Sequence, residues 1–130
     1  MLRAPDRDAA ISWYTEKLDF RVVDTVPSGD DMTFVFLSPA VDDGFRLELL
    51  AGPGAAERPV YADLGASLGL SGWHHLCLRL DDVDKAVAEL KRRSVKIVHE
   101  PFDVPAISSR IAFFSDPWGN IFELMQPVTA

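Results

Sequence analysis

The sequence predicts an α+β fold: two tandem βαβββ modules whose curved mixed sheet surrounds a cup-shaped site. Three observations carry this prediction. Laid over itself, the chain repeats: Arg46-Leu47-Glu48-Leu49-Leu50 falls on Ile121-Phe122-Glu123-Leu124-Met125, and Phe20-Arg21-Val22-Val23 on Val95-Lys96-Ile97-Val98, both at a shift of 75 residues. Helical spacing repeats as well, with Ala10-Ile11 and Tyr14 falling on Ala86-Val87 and Leu90 at a shift of 76. Finally, each copy carries a carboxylate at the same place, Glu48 in one and Glu123 in the other. A duplicated unit with a repeated carboxylate suggests a site built between the copies.

The first module spans residues 1–50 and opens on a short apolar segment, residues 1–4. Pro5-Asp6 then starts a helix with Asp6 as N-cap. Its buried stripe is Ala10, Ile11, Tyr14 and Leu18. Residues 20–26 read as a strand rich in β-branched side chains, residues 27–31 as a turn, residues 32–37 as a second strand and residues 45–50 as the returning one. A connector, residues 51–72, is rich in Gly, Ala and Pro, with room for one short helix near residues 61–68.

The second module, residues 73–130, repeats this order. Residues 73–80 form a strand. Asp81-Asp82 caps a helix whose stripe is Val83, Ala86, Val87 and Leu90. Residues 95–99 form a strand, followed by a long loop with Pro101 and Pro105. Residues 108–114 and 121–126 are the closing strands, joined by the turn Asp116-Pro117-Trp118-Gly119-Asn120.

Composition narrows the partners. At 48% hydrophobic and 25% charged residues, the chain is an ordinary globular one. A net charge of −7 and a pI near 4.8 argue against nucleic acid and anionic membranes. A single cysteine, Cys77, excludes an internal disulfide and fits a reducing compartment. No apolar run approaches the roughly 18 residues of a spanning helix, and no signal peptide heads the sequence. The expectation is a cytoplasmic domain acting on a small-molecule substrate.

Strand alternation sorts the polar side chains. Phe45, Leu47 and Leu49 face the helix, which turns Arg46 and Glu48 into the cup. Phe122 and Leu124 face the helix, which turns Glu123 inward. On the strand of residues 73–80, His75, Cys77 and Arg79 share the inward face, while His74 points toward the helix layer or the rim as a structural or supporting residue. His75, Glu48 and Glu123 are therefore expected to converge, with Arg46 and Arg79 beside them. Two carboxylates brought together repel, and a divalent cation relieves both the repulsion and the cost of burial. Imidazole with carboxylate suits Zn, Ni, Co, Fe or Mn. The alternative is a buried ion network in which Arg46 and Arg79 neutralise Glu48 and Glu123. Cys77 is expected to be a small buried hydrophobe.

The segments Met1-Leu2-Arg3 with Pro5-Asp6, Gly72-Trp73-His74-His75, and Asp116-Pro117-Trp118-Gly119-Asn120 leading to Phe122-Glu123-Leu124 resemble the vicinal oxygen chelate superfamily. That superfamily includes glyoxalase I, methylmalonyl-CoA epimerase, fosfomycin-resistance thiol transferases, extradiol dioxygenases and bleomycin-binding proteins. In its metal-dependent members, four ligands come from the first and last strands of each module. The resemblance implies Glu48, His75 and Glu123 as metal ligands. The repeat places the counterpart of His75 at position −1, so either the sequence begins late or the site keeps three protein ligands. It further implies Glu123 as the ligand that doubles as base, Glu48 as its partner, and Arg3, Arg46 and Arg79 as candidates for substrate binding. The implied reaction is proton transfer next to a carbonyl, of lyase or isomerase type. A drug-binding protein of the bleomycin-resistance kind and an extradiol-type dioxygenase are the alternatives, and a homodimer is expected because exposed sheet edges invite two-fold pairing.

Overall fold

Each half of the chain folds as strand, helix and three further strands, as the duplication requires. The computed structural model describes residues 1–128. Two units divide the chain, Met1–Glu57 and Arg58–Ala130, and the division falls inside the expected connector.

The first unit holds β1 (Leu2–Ala4), α1 (Arg7–Leu18), β2 (Phe20–Pro27), β3 (Thr33–Pro39) and β4 (Leu47–Ala51). Its sheet runs β1-β4-β3-β2. β1 and β4 are parallel and the other pairs antiparallel, because the chain must cross over through α1 before it can return beside its own first strand. Asp6 starts α1 by accepting from the Ala9 N–H at 2.7 Å. Asp19 ends it in the left-handed conformation, with φ of 56°. Ala10 and Tyr14 are fully buried under the helix, while Ile11 and Leu18 are half-buried. Val35, Leu37, Leu47 and Leu49 are buried on the sheet and belong to the core of this unit. β4 begins at Leu47, two residues later than expected: the Ser38 hydroxyl donates to the Phe45 carbonyl at 2.7 Å and draws it out of the ladder.

The second unit holds a short α2 (Leu64–Ser67), β5 (His75–Arg79), α3 (Val83–Arg92), β6 (Lys96–Val104), a single 3-10 turn at Pro105–Ile107, β7 (Ser109–Ser115) and β8 (Ile121–Pro127). Its sheet order, β5-β8-β7-β6, repeats that of the first. So does its register. Leu78 pairs with Leu124 and Arg79 with Met125 in the parallel ladder, where the first unit pairs Leu2 with Leu49 and Arg3 with Leu50. Asp82 caps α3 through the Lys85 N–H at 2.8 Å. Val83, Val87 and Leu90 bury against Ala112, Phe114, Phe122 and Leu124. The Phe114 and Phe122 rings stack in parallel, 5.0 Å between centroids and 7° apart.

β6 departs from expectation. It does not stop at His99 but runs through Pro101 to Val104. The register jumps between Ile97 and His99 and again between His99 and Phe102. A bulge there lets proline, which has no N–H for the ladder, sit inside a paired strand. No helix among the described residues is long and apolar enough to cross a membrane.

Candidate functional site

The face of the second sheet turned away from α3 is where the chemistry gathers. Alternation along β5 sends Leu76 and Leu78 one way and His75, Cys77 and Arg79 the other. Across the parallel ladder Cys77 lies opposite Glu123, and across the antiparallel one Phe113 does. Glu123 is thus flanked by β5 and β7 and sits on the same face as His75. Its flanking residues Phe122 and Leu124 are 1% and 4% exposed, so the strand cannot rotate to release it. The tight turn before β8 fixes where that strand starts: the Asp116 carboxylate accepts from the Trp118 and Asn120 N–H groups and from Asn120 Nδ2 at 2.6–3.0 Å.

His75 Nε2 and Glu123 Oε2 are 2.9 Å apart. The His75 side chain is 31% exposed and that of Glu123 13%. The Phe113 ring meets His75 edge to face at 5.4 Å and 84°. On its other nitrogen, His75 Nδ1 lies 2.9 Å from His74 Nδ1, and His74 Nε2 lies 2.7 Å from the Ser67 hydroxyl. Gly72, Trp73, His74 and His75 line an open hollow of ≈ 370 Å³, and Trp73 is 93% exposed at its edge.

His74 corrects the alternation reading, which turned it away from His75. β5 starts at His75, so His74 belongs to the preceding loop and its ring is free to turn back onto its neighbour. Burial, then the neighbouring His75 and Arg58, lower the His74 pKa, against a smaller opposing effect from its hydrogen bond to Ser67. Cys77 is exposed rather than buried. Partial desolvation pushes its thiol pKa up, and the charge and hydrogen bond of Glu123 push it the same way, so it is a poor nucleophile.

The remaining residues named from the sequence lie as follows. Glu48 is the second residue of β4, half-buried and opposite Phe36, with no hydrogen-bond or ion-pair partner among the described residues. Arg46 lies exposed just before β4, and Arg79 exposed at the end of β5, two positions beyond Cys77 on the same face. Among the described residues neither arginine pairs with Glu48 or Glu123, so the alternative of an ion network does not form there. Arg3 donates from Nη1 to the Leu50 carbonyl at 3.0 Å and to that of Ala4, and from Nη2 to that of Pro53 at 2.5 Å. It clamps the end of β1 to the segment after β4. Arg110 holds Asp84 and Asp103 on the opposite face. Ser67 gave no local signal in the sequence, because it lies in the connector and reaches His74 only through the fold.

An imidazole nitrogen and a carboxylate oxygen that share one ion at about 2.0–2.2 Å each lie roughly 3 Å apart. The His75–Glu123 separation fits two such vertices, and the borderline donor set suits a first-row divalent ion. Among the described residues, no three His, Cys, Asp or Glu side chains gather as a ligating group. His75 and Glu123 belong to the second unit and Glu48 to the first.

The family model of the Glyoxalase/Bleomycin resistance protein/Dioxygenase superfamily matches residues 1–124. Uncharacterized protein YurT of Bacillus subtilis is 31% identical over 121 residues, covering 93% of this chain and 91% of its own. A probable chloroplastic lactoylglutathione lyase of Arabidopsis thaliana is 32% identical over 127 residues, 95% of this chain but 33% of the lyase. The mitochondrial methylmalonyl-CoA epimerase of Bos taurus is 29% identical over 127 residues, 94% of this chain and 69% of the epimerase. Among solved structures, glyoxalase I from Zea mays superposes with a TM-score of 0.72 at 30% identity, covering 98% of this chain and 43% of the maize one. The chain thus spans a third of the plant lyase and less than half of the maize enzyme.

Proposed function

This chain belongs to the Glyoxalase/Bleomycin resistance protein/Dioxygenase superfamily, and from that premise we propose that it is a metal-dependent enzyme moving a proton next to a carbonyl. The reaction is of lyase or isomerase type, on a small substrate that presents two neighbouring oxygens. Relatives named as a lactoylglutathione lyase and a methylmalonyl-CoA epimerase support that class. The observation that carries the reading is the 2.9 Å meeting of His75 Nε2 with Glu123 Oε2 on a face backed by Phe113.

His75 and Glu123 would hold a divalent transition ion: Zn, Ni, Co, Fe or Mn. Bound there, the ion supplies Lewis acidity that favours negative charge on a substrate oxygen. Glu48 occupies the repeat position of Glu123 in the first unit and is the carboxylate candidate there, half-buried and without a partner among the described residues. Glu123 takes the proton from carbon, its second oxygen being the one not turned to His75. Phe113 keeps water from one side of the imidazole, and Arg79, on the same face, pairs a substrate carboxylate. Arg46 is the corresponding candidate in the first unit; Arg3 contributes by holding β1 in place.

Purified protein should carry transition metal in a fixed ratio by elemental analysis. Glu123→Gln should abolish deuterium exchange from solvent into a bound α-hydroxycarbonyl or α-methyl thioester while preserving the circular dichroism spectrum. Full exchange by this variant removes Glu123 from the role of base. A second reading has one observation in its favour: the exposed Trp73 beside the hollow offers a flat stacking surface in a chain of net charge −7. Metal-free protein that binds a bulky cationic antibiotic in calorimetry would support a drug-binding role instead.

A further inference from the structure

We propose that Arg58 is a substrate-binding residue: its guanidinium, standing at the His75 end of the second sheet, pairs a carboxylate that the substrate carries apart from its two neighbouring oxygens. The inference deepens the proposed function and rests on its placing of substrate at His75 and Glu123.

A chain of fixed contacts sets where Arg58 stands. Asp116 and Asn120 are 4% and 5% exposed. Asn120 Nδ2 donates to Asp116 Oδ2 at 2.6 Å, which commits that end of the amide and leaves its carbonyl oxygen for Arg58. Arg58 Nη1 donates to this Asn120 Oδ1 at 3.2 Å. The stem is held as well. A Cβ at Gly119 would meet Arg58 Cβ at 3.6 Å and Cδ at 3.8 Å, so the aliphatic part lies along that glycine. Asn120 is one position before Ile121, which pairs with His75 at the head of the parallel ladder. Arg58 therefore stands at the end of β5 where Gly72, Trp73, His74 and His75 line the hollow. Its charge is felt there: burial and then His75 lower the His74 pKa, and Arg58 adds to them. Arg79 closes the other end of β5, about 13 Å along the strand from His75.

The edge of Arg58 left unpaired suits a carboxylate. In a chain with 20 acidic and 13 basic residues, arginines find carboxylates readily. Arg7, Arg21, Arg92, Arg93 and Arg110 each do. Arg58 makes no ion pair among the described residues, and its hydrogen bond there goes to a neutral amide. With Nη1 on Asn120, the edge formed by Nε and Nη2 remains, and it presents two parallel N–H groups that match the two oxygens of a carboxylate. Arg58 is exposed, so an incoming anion reaches it without displacing an acidic side chain. A fixed positive charge beside the hollow also disfavours a cationic occupant.

The test uses full-length protein with Arg58→Gln and Arg58→Lys. Cobalt(II)-loaded protein is titrated with acetohydroxamate, which offers two neighbouring oxygens and no further charged group. It is also titrated with the monohydroxamates of succinic, glutaric and adipic acids, which add a carboxylate on spacers of increasing length. The best of these should bind about 10-fold more tightly than acetohydroxamate. Arg58→Gln should lose that advantage with acetohydroxamate binding unchanged, and Arg58→Lys should keep part of it. Metal-free protein is titrated in parallel with succinate, read by the arginine Nε–H NMR signal that disappears in Arg58→Gln; this signal should shift and saturate. A carboxylate advantage that survives Arg58→Gln, or an Arg58 signal that succinate does not move, overturns the inference. If the signal saturates but the protein takes up no cobalt, Arg58 still binds the carboxylate and the metal reading alone fails. If acetohydroxamate binds the cobalt-loaded protein as tightly as every carboxylate-bearing analogue, the metal reading stands and the role of Arg58 falls.

Discussion

Replacing Phe122 by alanine should disturb stability and site together, because the ring that anchors β8 directly precedes Glu123. Phe122 is 1% exposed and stacked on Phe114 at 5.0 Å. An aromatic ring buries about 150–250 Å², of which alanine retains a minor part. Taking ~130 Å² as lost, at about 25 cal/mol per Å², gives ~3 kcal/mol. Loss of the stack adds ~1 kcal/mol. The sum, ~4 kcal/mol, lies within the roughly 3–5 kcal/mol typical of buried Phe→Ala changes. With a urea m value of about 2 kcal/mol/M, the unfolding midpoint should fall by ~2 M. The assay is urea unfolding followed by circular dichroism, repeated for Phe114→Ala and the double variant. The double variant should be less destabilised than the sum of the singles by ~1 kcal/mol. A single-variant loss below ~1.5 kcal/mol would refute the burial argument, and strict additivity would refute the stack.

Gly52→Ala should destabilise the first unit by ~1–3 kcal/mol. The residue sits at φ of +144°, and an added Cβ would lie 2.6 Å from the Asp31 carbonyl oxygen; an unchanged thermal midpoint would contradict this. On the acid side, the Arg92 and Arg93 guanidiniums hold the Glu89 carboxyl down to about 2, from an ordinary 4.5. A carboxyl depressed on folding stabilises above its unfolded pKa and loses that contribution as pH falls from 4.5 toward 2. Unfolding free energy should therefore drop across that window, less steeply in Glu89→Gln and less steeply in high salt, since the pair is exposed. Equal pH slopes for the two proteins would exclude Glu89 as a source.

Much of the second unit was legible along the chain because its signals are local. Asp82 before Val83, Val87 and Leu90 announces a capped amphipathic helix, and alternation around Phe122 and Leu124 determines which way Glu123 points. The shift of 75–76 residues between halves reappears in the ladder register, since pairing in a sheet is set by the same alternating pattern that the repeat copies. The expected strand end at His99 failed because a proline was read as a breaker, whereas a bulge absorbs it.

The sequence alone determined the duplicated architecture, the strand faces and the family, because periodicity and repeats are properties of neighbours along the chain. Only the tertiary structure decided where β5 begins, and with it that His74 leaves the strand pattern and turns toward His75. It alone brought Ser67, from the connector, to the far side of that ring pair and paired Glu123 with an imidazole rather than a guanidinium. Such contacts depend on which groups the fold brings together in space, and no spacing in the sequence records that.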